Sequence, residues 1–323
     1  MKITKRSKYS VELYEETNVK TDHKKTPLHP LHFTGPELIH AIISAGMPDT
    51  YLTRKQKKAR ASEMFFKINL AKTFLISDSQ GHLSFDVSRK DYLDSTEIGA
   101  INYWIGMMMI TVLAKKNYGY DYLVHLSKLY QFSKTISPNI LPHVTPTGSI
   151  AYKSPDLIAI KIRKNEYGVF ESKGYSKYDA NAMEQGYEQA KSIASINGVN
   201  PKNALVVMTQ TGSKYIKMIQ KDPEGDKDHY SIDPRCAHLY HFLPIAELIA
   251  ELGPEAREGR MYASFNISDE TYSISLPLNL YNLLTRIAEN ENITNAEEAL
   301  VSYFQKENID DLLMNQSDIF LVE

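Results

Sequence analysis

Two short β-rich segments joined by a polar turn constrain the fold of this chain more than any other feature. The first covers residues 157–162 (LIAIKI) and the second covers residues 167–173 (YGVFESK). A segment with helical patterning (180–196) and an apolar strand (204–209, ALVVMT) follow. Strand, strand, helix and strand in this order predict an α/β fold, with a mixed sheet between flanking helices.

Charged side chains occupy one face of the second strand. Because side chains alternate along a strand, Glu171 and Lys173 point to one face, while Phe170 and Ser172 point to the other. Asp156 lies where the first strand begins, so its carboxylate is expected beside Glu171. Two carboxylates and an ammonium group held together are costly unless a cation joins them. Mg²⁺ suits this set, since it takes one or two carboxylates and keeps water ligands.

The segments SPD (154–156) and ESKG (171–174) resemble the motif of the PD-(D/E)XK nuclease superfamily, over residues 95–250. The resemblance implies a restriction-endonuclease-like core within residues 91–253. It implies that Asp156 and Glu171 bind Mg²⁺ or Mn²⁺ with the backbone carbonyl of Ser172, and that Lys173 serves the attacking water. The alternative is an ordinary surface hairpin in which Glu171 and Lys173 form an exposed ion pair.

The same resemblance implies further site residues on neighbouring helices. The family often has an acid on a helix before the hairpin, which points to Glu97; the alternative is a helix N-terminal acid favoured by the helix dipole. A glutamine often follows on the next helix, which points to Gln185 as a catalytic residue. Gln189, one turn later on the same helical face, is then a nucleic-acid contact. The alternative for Gln185 is a solvated helix face.

Charge is distributed unevenly, although the net charge is only −2. Residues 1–75 contain 14 Lys/Arg against 7 Asp/Glu, and residues 251–323 contain 4 against 14. We therefore predict a basic, mainly helical N-terminal region (1–90) that attracts a polyanion. The nucleic-acid contacts expected there form one cluster, for which a solvated helix face is the alternative: Arg54, Lys55, Lys57 and Lys58.

The acidic C-terminal region (254–323) contains a second pattern. A strand from residue 271, an amphipathic helix and another helix resemble a ribbon-helix-helix unit over residues 271–306. In that family the strands pair between two subunits, which implies a homodimer. The outward strand positions are Ser273 and Ser275, so dimerisation is favoured over DNA reading. The alternative is a small α+β element with an intrachain hairpin, residues 261–267 pairing with 271–276.

Other features bound the class of protein. The single cysteine, Cys236, excludes an intrachain disulfide and predicts a reducing, cytoplasmic location. The apolar run 98–114 is too short and too interrupted for a membrane span, and predicts a buried helix. Cys236, His238 and His241 are a partial metal set, but strand alternation would place the two histidines on opposite faces.

These expectations together predict a metal-dependent nuclease that hydrolyses phosphodiester bonds, of DNA more than of RNA. Defence against foreign DNA, including restriction-modification and antiviral defence, is the setting that the resemblance favours. Two alternatives stay open. The chain is a non-catalytic nucleic-acid-binding or regulatory dimer that retains the nuclease fold, or a subunit whose partner protein supplies a motor or recognition function.

Overall fold

The computed structural model describes residues 3–17, 24–45, 60–129, 154–223, 230–232, 236–267, 269–289, 295–306 and 321–322. The strands in these ranges are β1 (Lys8–Glu16), β2 (Lys25–Pro27), β3 (Leu31–Thr34), β4 (Leu75–Ser77), β5 (Leu83–Phe85), β6 (Tyr122–His125), β7 (Leu157–Lys161), β8 (Glu166–Tyr175), β9 (Ile193–Ile196), β10 (Asn203–Gln210), β11 (Lys217–Lys221), β12 (Tyr230–Ile232), β13 (Glu255–Arg257), β14 (Arg260–Ile267), β15 (Glu270–Pro277) and β16 (Leu321–Val322). The helices are α1 (Gly35–Ser44), α2 (Arg60–Phe74), α3 (Val87–Lys90), α4 (Ser95–Lys116), α5 (Ala180–Lys191), α6 (Ala237–Leu252), α7 (Leu278–Glu289) and α8 (Ala296–Lys306).

A mixed sheet organises the molecule and confirms the α/β expectation. Its strand order is β2-β1-β11-β10-β8-β7-β6, and β3 pairs with the other half of β1. Two pairings are parallel, β1 with β11 and β8 with β10, and the others are antiparallel. The predicted hairpin is β7 and β8, which pair with Leu157 opposite Phe170.

Helices cover both faces of this sheet. On one face lies α4, which begins with a capping box between Asp94 and Glu97 and continues through a buried run that includes Met107 and Leu113. It lies so close to β8 that a Cβ on Gly174 would overlap the carbonyl oxygen of Asn102. On the opposite face lies α5, where a Cβ on Gly186 would meet side chains of β8 and β10. Glycine at these two positions permits the close helix–sheet contact.

The described part of the N-terminal region (1–90) contains strands of the main sheet beside the helices expected there. Its strand β1 lies inside the main sheet, paired with β11 on one side and with β2 and β3 on the other. Val11 and Leu13 of this strand are buried in the core. The polar, lysine-rich composition hid a strand whose apolar residues alternate with charged ones, so the sheet spans the boundary predicted at residue 90.

Three further segments differ from the secondary structure that their sequence patterns predict. Residues 193–196, the end of the segment with helical patterning (180–196), form β9, which pairs with β12. Residues 121–132 have helical periodicity, and residues 126–129 are helical, yet Tyr122–His125 forms β6, which pairs with β7. Residues 237–242 look like a strand, yet they are the first turns of α6. Leu239, Tyr240 and Phe242 are all buried. A helix that is buried all round has no polar face, so its period cannot be read from the sequence.

The C-terminal element has the expected order of strand, helix and helix, but its strand pairs within the chain. β15 pairs along its length with β14 and at Ile274 and Ser275 with β16. Ser273 and Ser275 do not point outward as expected: both are buried, and Arg260 Nε donates to Ser275 Oγ at 2.9 Å. The intrachain hairpin therefore occupies the strand edge that a ribbon-helix-helix dimer would pair between subunits.

Among the described residues, one helix, Ser95–Lys116, is long and apolar enough to cross a membrane. Most of it is buried against the main sheet and α1, as in the central helix of a soluble protein. The buried helix expected from the apolar run 98–114 is confirmed.

Candidate metal-binding site

Strand β8 distributes its side chains between two helices, as the alternation predicted. Phe170 is buried in the core against the rings of Tyr118 and Tyr120. Ser172 faces α4, and Glu171 and Lys173 face α5 at Gly186. The local geometry of one strand therefore places a carboxylate and an ammonium group together under one helix.

Hydrogen bonds from two backbone N–H groups hold the carboxylates of Asp156 and Glu171 beside each other. The Asp156 N–H donates to Glu171 Oε2 at 2.7 Å, and the Ser172 N–H donates to Asp156 Oδ2 at 3.1 Å. Asp156 directly precedes β7, so the pairing of β7 with β8 brings the two carboxylates side by side. The hairpin register therefore determines the relative position of the two acids.

Lys173 completes a charged set that we call the cleft cluster: Asp156, Glu171 and Lys173. Lys173 Nζ lies 2.6 Å from Glu171 Oε1 and 2.8 Å from Gln189 Oε1. Gln189 Nε2 donates in turn to the Ser154 carbonyl at 3.2 Å. Gln189 thus links α5 to the residues before β7 and holds the lysine ammonium beside the acids.

The electrostatics of the cleft cluster are unbalanced. Only 1% of Glu171 is exposed. The pKa of Glu171 is raised to about 7, mainly by burial and then by the nearby Asp156 charge, while the Lys173 ammonium acts in the opposite direction. The ionised pair of carboxylates is therefore disfavoured in the protein alone, and a cation between them would relieve the repulsion.

The donor atoms fit a small divalent cation. Within the described residues no hydrogen bond reaches Asp156 Oδ1. The Ser172 carbonyl points to the same strand edge as its N–H, which is the edge where Asp156 lies. The described part of the chain has no group of three or more His, Cys, Asp or Glu side chains suited to a metal. Two carboxylates and a carbonyl suit Mg²⁺ or Mn²⁺, which complete their coordination with water and substrate oxygens.

The cleft cluster opens into a cleft of about 800 Å³. Asp156, Ser172 and Lys173 form part of its wall, and Tyr103 of α4 lines it as well. Tyr103 Oη lies 3.1 Å from Nε2 of His125, the last residue of β6. Burial, with the charges of Asp156 and Glu171, raises the pKa of Tyr103 to about 12, so its hydroxyl stays protonated near neutral pH.

Two of the residues expected on neighbouring helices do not reach the cleft cluster. Glu97 is exposed, and its Oε2 accepts from the Asp94 N–H at 2.9 Å in the capping box of α4. The structure thus places Glu97 at the helix N-terminus, in the position that the alternative describes. Gln185 is exposed on α5, and Gln189 contacts Lys173 in its place. The basic residues Arg54, Lys55, Lys57 and Lys58 lie outside the described residues.

The histidines of α6 are packing residues. His241 is buried and His238 is partly buried, and burial lowers the pKa of His238 to about 4 and of His241 to about 3. The His241 ring stacks on Tyr122 with centroids 4.3 Å apart, and Tyr122 Oη lies 2.6 Å from His238 Nδ1. These neutral rings therefore belong to an aromatic cluster between β6 and α6.

Sequence reasoning missed three neighbours of the cleft cluster: Ser154 as a backbone acceptor, Tyr103 and His125. Tyr103 is part of the apolar run of α4, and His125 was placed in an expected helix. No local pattern marks either residue. His125 comes near the cleft cluster only through the pairing of β6 with β7, which places it opposite Leu157, the residue after Asp156.

A second charged group, which we call the β11 cluster, lies on the same sheet face under α5: Glu16, Glu184 and Lys221. Lys221 Nζ lies 3.1 Å from Glu184 Oε2 and 3.9 Å from Glu16 Oε1. Tyr178 Oη donates to Glu16 Oε2 at 2.8 Å, and the Lys221 ammonium lies over the Tyr187 ring. Register relates the two clusters, because Val206 of β10 is opposite both Glu171 and Lys221.

No protein-family model matches this chain, and neither a curated protein nor a solved structure is significantly similar to it.

Proposed function

We propose that this protein is a metal-dependent nuclease whose active site is the cleft cluster. The observation that carries the proposal is the paired position of Asp156 and the buried Glu171, with Lys173 Nζ 2.6 Å from Glu171, beside an open cleft that Asp156 and Lys173 line. A buried acid with a raised pKa in such a cleft is a feature of functional sites. The resemblance of SPD and ESKG to the PD-(D/E)XK motif supports the same chemistry.

Six residues in and around the cleft cluster have a role in the proposed reaction. Asp156, Glu171 and the Ser172 carbonyl would hold Mg²⁺ or Mn²⁺, which when bound polarises a phosphodiester and acidifies water. Lys173 orients the attacking water and offsets the negative charge that develops on the phosphate. Gln189 positions the Lys173 ammonium, since its Oε1 accepts from Nζ. Tyr103 offers a protonated hydroxyl to a phosphate oxygen on the other side of the cleft.

The proposed substrate is nucleic acid, and DNA is favoured over RNA by the resemblance. Lys90 and Lys177 line the same cleft and are suited to backbone phosphates. Defence against foreign DNA is the setting that we propose for such an activity. A partner protein that supplies a motor or a recognition domain is compatible with this site, and so is a second copy of the chain.

The test is cleavage of plasmid, linear duplex and single-stranded DNA, and of RNA, by purified protein with Mg²⁺, Mn²⁺ or EDTA. Wild type is compared with Asp156→Ala and Lys173→Ala, and with Gln185→Ala as the matched control on α5. Cleavage that needs metal, Asp156 and Lys173, but not Gln185, supports the proposal. Cleavage that survives Asp156→Ala contradicts it. Nucleic-acid binding without cleavage by wild type would favour the non-catalytic alternative.

A further inference from the structure

The exposed tyrosines of the described residues gather at one place. Three tyrosines have more than a third of their surface exposed: Tyr92 (87%), Tyr103 (38%) and Tyr175 (37%). Tyr103 and Tyr175 line the cleft, and Tyr92 follows two residues after Lys90, which also lines it. Tyr103 and Tyr175 thus each keep more than a third of their surface exposed in the cleft, where a ligand can reach the rings.

The backbone of Tyr175 is held in the main sheet. It is the last residue of β8, opposite Gln210 of β10, and its carbonyl accepts from the Thr211 N–H at 2.9 Å. It lies two positions after Lys173, so the two side chains leave the strand on the same face and their Cα atoms lie about 7 Å apart. The strand therefore places an aromatic residue near the lysine of the cleft cluster, and both residues line the cleft.

We propose that the cleft binds single-stranded nucleic acid, or an unpaired stretch of a longer molecule, with bases stacked on Tyr175 and Tyr103. This inference rests on the proposed function and specifies the substrate of that site. Lys90 and Lys177 contact the phosphates, and the strand passes Asp156 and Lys173. Lysines that follow a backbone and rings that accept any base are the two components of single-strand binding sites.

A duplex fits these observations poorly. Its base faces are covered by neighbouring bases, so a protein ring reaches them only after the bases unstack, which is energetically unfavourable. A volume of about 800 Å³ is that of a pocket which encloses a small ligand, and it suits a few nucleotides of one strand. The cleft thus offers its rings to bases that are already exposed.

The test is binding measured by fluorescence anisotropy, with a labelled DNA strand of about 20 nucleotides, free or annealed to its complement. Ca²⁺ replaces Mg²⁺, and a second series contains EDTA. We expect the single strand to bind at least about tenfold more tightly than the duplex, and Tyr175→Ala to weaken single-strand binding about tenfold. Phe66→Ala, which removes an exposed ring outside the cleft lining, should leave binding unchanged.

Tyr175→Phe keeps the stacking ring and separates stacking from a folding defect. It should bind the single strand like wild type, while Tyr175→Ala does not. Equal or tighter binding of the duplex, or a Tyr175→Ala protein that binds like Phe66→Ala, overturns the inference. Tight single-strand binding that depends on Tyr175 without any cleavage would keep the inference and reject the nuclease. Cleavage that needs Asp156 but prefers duplex would keep the nuclease and reject the single-strand inference.

Discussion

The cleft cluster and the β11 cluster contain the same types of charge, two carboxylates and one lysine, under the same helix. Glu171 and Glu16 are both almost fully buried, with 1% and 3% exposed. They differ in their surroundings. Asp156 and Lys173 face an open cleft, whereas Glu16, Glu184 and Lys221 do not line it. In the β11 cluster, a tyrosine hydroxyl and the lysine ammonium both face Glu16.

This difference teaches that buried charge alone does not identify a functional site. The β11 cluster pairs its charges across strands β1 and β11 and helix α5, so its contacts hold this helix on the sheet. In the cleft cluster the two acids lie side by side, and the pKa of Glu171 is raised to about 7. An acid held in an unfavourable state beside a cleft is the arrangement expected of a site that awaits a ligand.

The largest expected effect comes from exchanging the lysine of each cluster for methionine. Lys173→Met should lower the cleavage rate on the order of a thousandfold, within the range of losses seen for groups that position water and protons. Lys221→Met should leave cleavage within a few-fold of wild type. It should lower the unfolding free energy by about 1 to 3 kcal/mol, because the buried Glu16 carboxylate would lose one of the groups that face it.

Cleavage kinetics and urea unfolding of both variants make this comparison. The matched pair separates the two clusters only if both proteins fold, which circular dichroism establishes. If Lys221→Met loses cleavage as completely as Lys173→Met while folded, the proposed difference between the clusters is wrong.

The second effect is on stability as a function of pH, through Glu171. Because folding raises the Glu171 pKa to about 7, the unfolded chain releases this proton first, and the folded state is penalised as pH rises. The penalty is absent below about pH 4.5, grows between about 4.5 and 7, and is complete above that. Glu171→Gln removes this penalty. Without metal at pH 8, the unfolding free energy of the variant should therefore exceed that of wild type by up to about 3 kcal/mol.

Urea unfolding in EDTA at pH 4.5 and pH 8 measures this gain, and Glu16→Gln is the matched control. Glu16 accepts from Tyr178 and faces Lys221, so its substitution should destabilise the protein. A Glu171→Gln protein whose stability relative to wild type does not increase with pH would show that Glu171 is not held in an unfavourable state.

The smallest effect concerns Glu97, the acid that the resemblance suggested and the structure places in a capping box. Glu97→Ala should cost about 0.5 to 1 kcal/mol of unfolding free energy, since the Asp94 N–H loses its acceptor. Cleavage should stay within twofold of wild type. A loss of cleavage similar to that of Asp156→Ala would return Glu97 to the site.

The parts of the site that lie within one hairpin were predictable from sequence. Alternation along β8 placed Glu171 and Lys173 under one helix and Ser172 under the other, because strand geometry is local. The position of Asp156 followed from where the first strand begins. The helix after the lysine was predictable in kind, but which glutamine reaches the site depends on how α5 packs on β8. The contact of Gln189 with Lys173 is a tertiary contact, which the local sequence does not determine.

Contacts between distant segments were not predictable. β1 and β11 lie far apart in the sequence, so no local pattern predicts the contact between Glu16 and Lys221. The same reason explains β6, whose Tyr122–His125 has a helical period but is drawn into the sheet by pairing with β7. In the C-terminal element, the strand and helices were evident, while the choice between intersubunit and intrachain pairing depended on β14.

The measurement that tests the central claim most directly is Mn²⁺ binding, followed by electron paramagnetic resonance at pH 8. Wild type is compared with Asp156→Asn in the cleft cluster and Glu184→Gln in the β11 cluster. We expect a Mn²⁺ site that Asp156→Asn loses and Glu184→Gln retains. Binding by Asp156→Asn that equals wild type, or no binding by the wild-type protein with or without single-stranded DNA, would contradict the assignment of a metal site to Asp156 and Glu171.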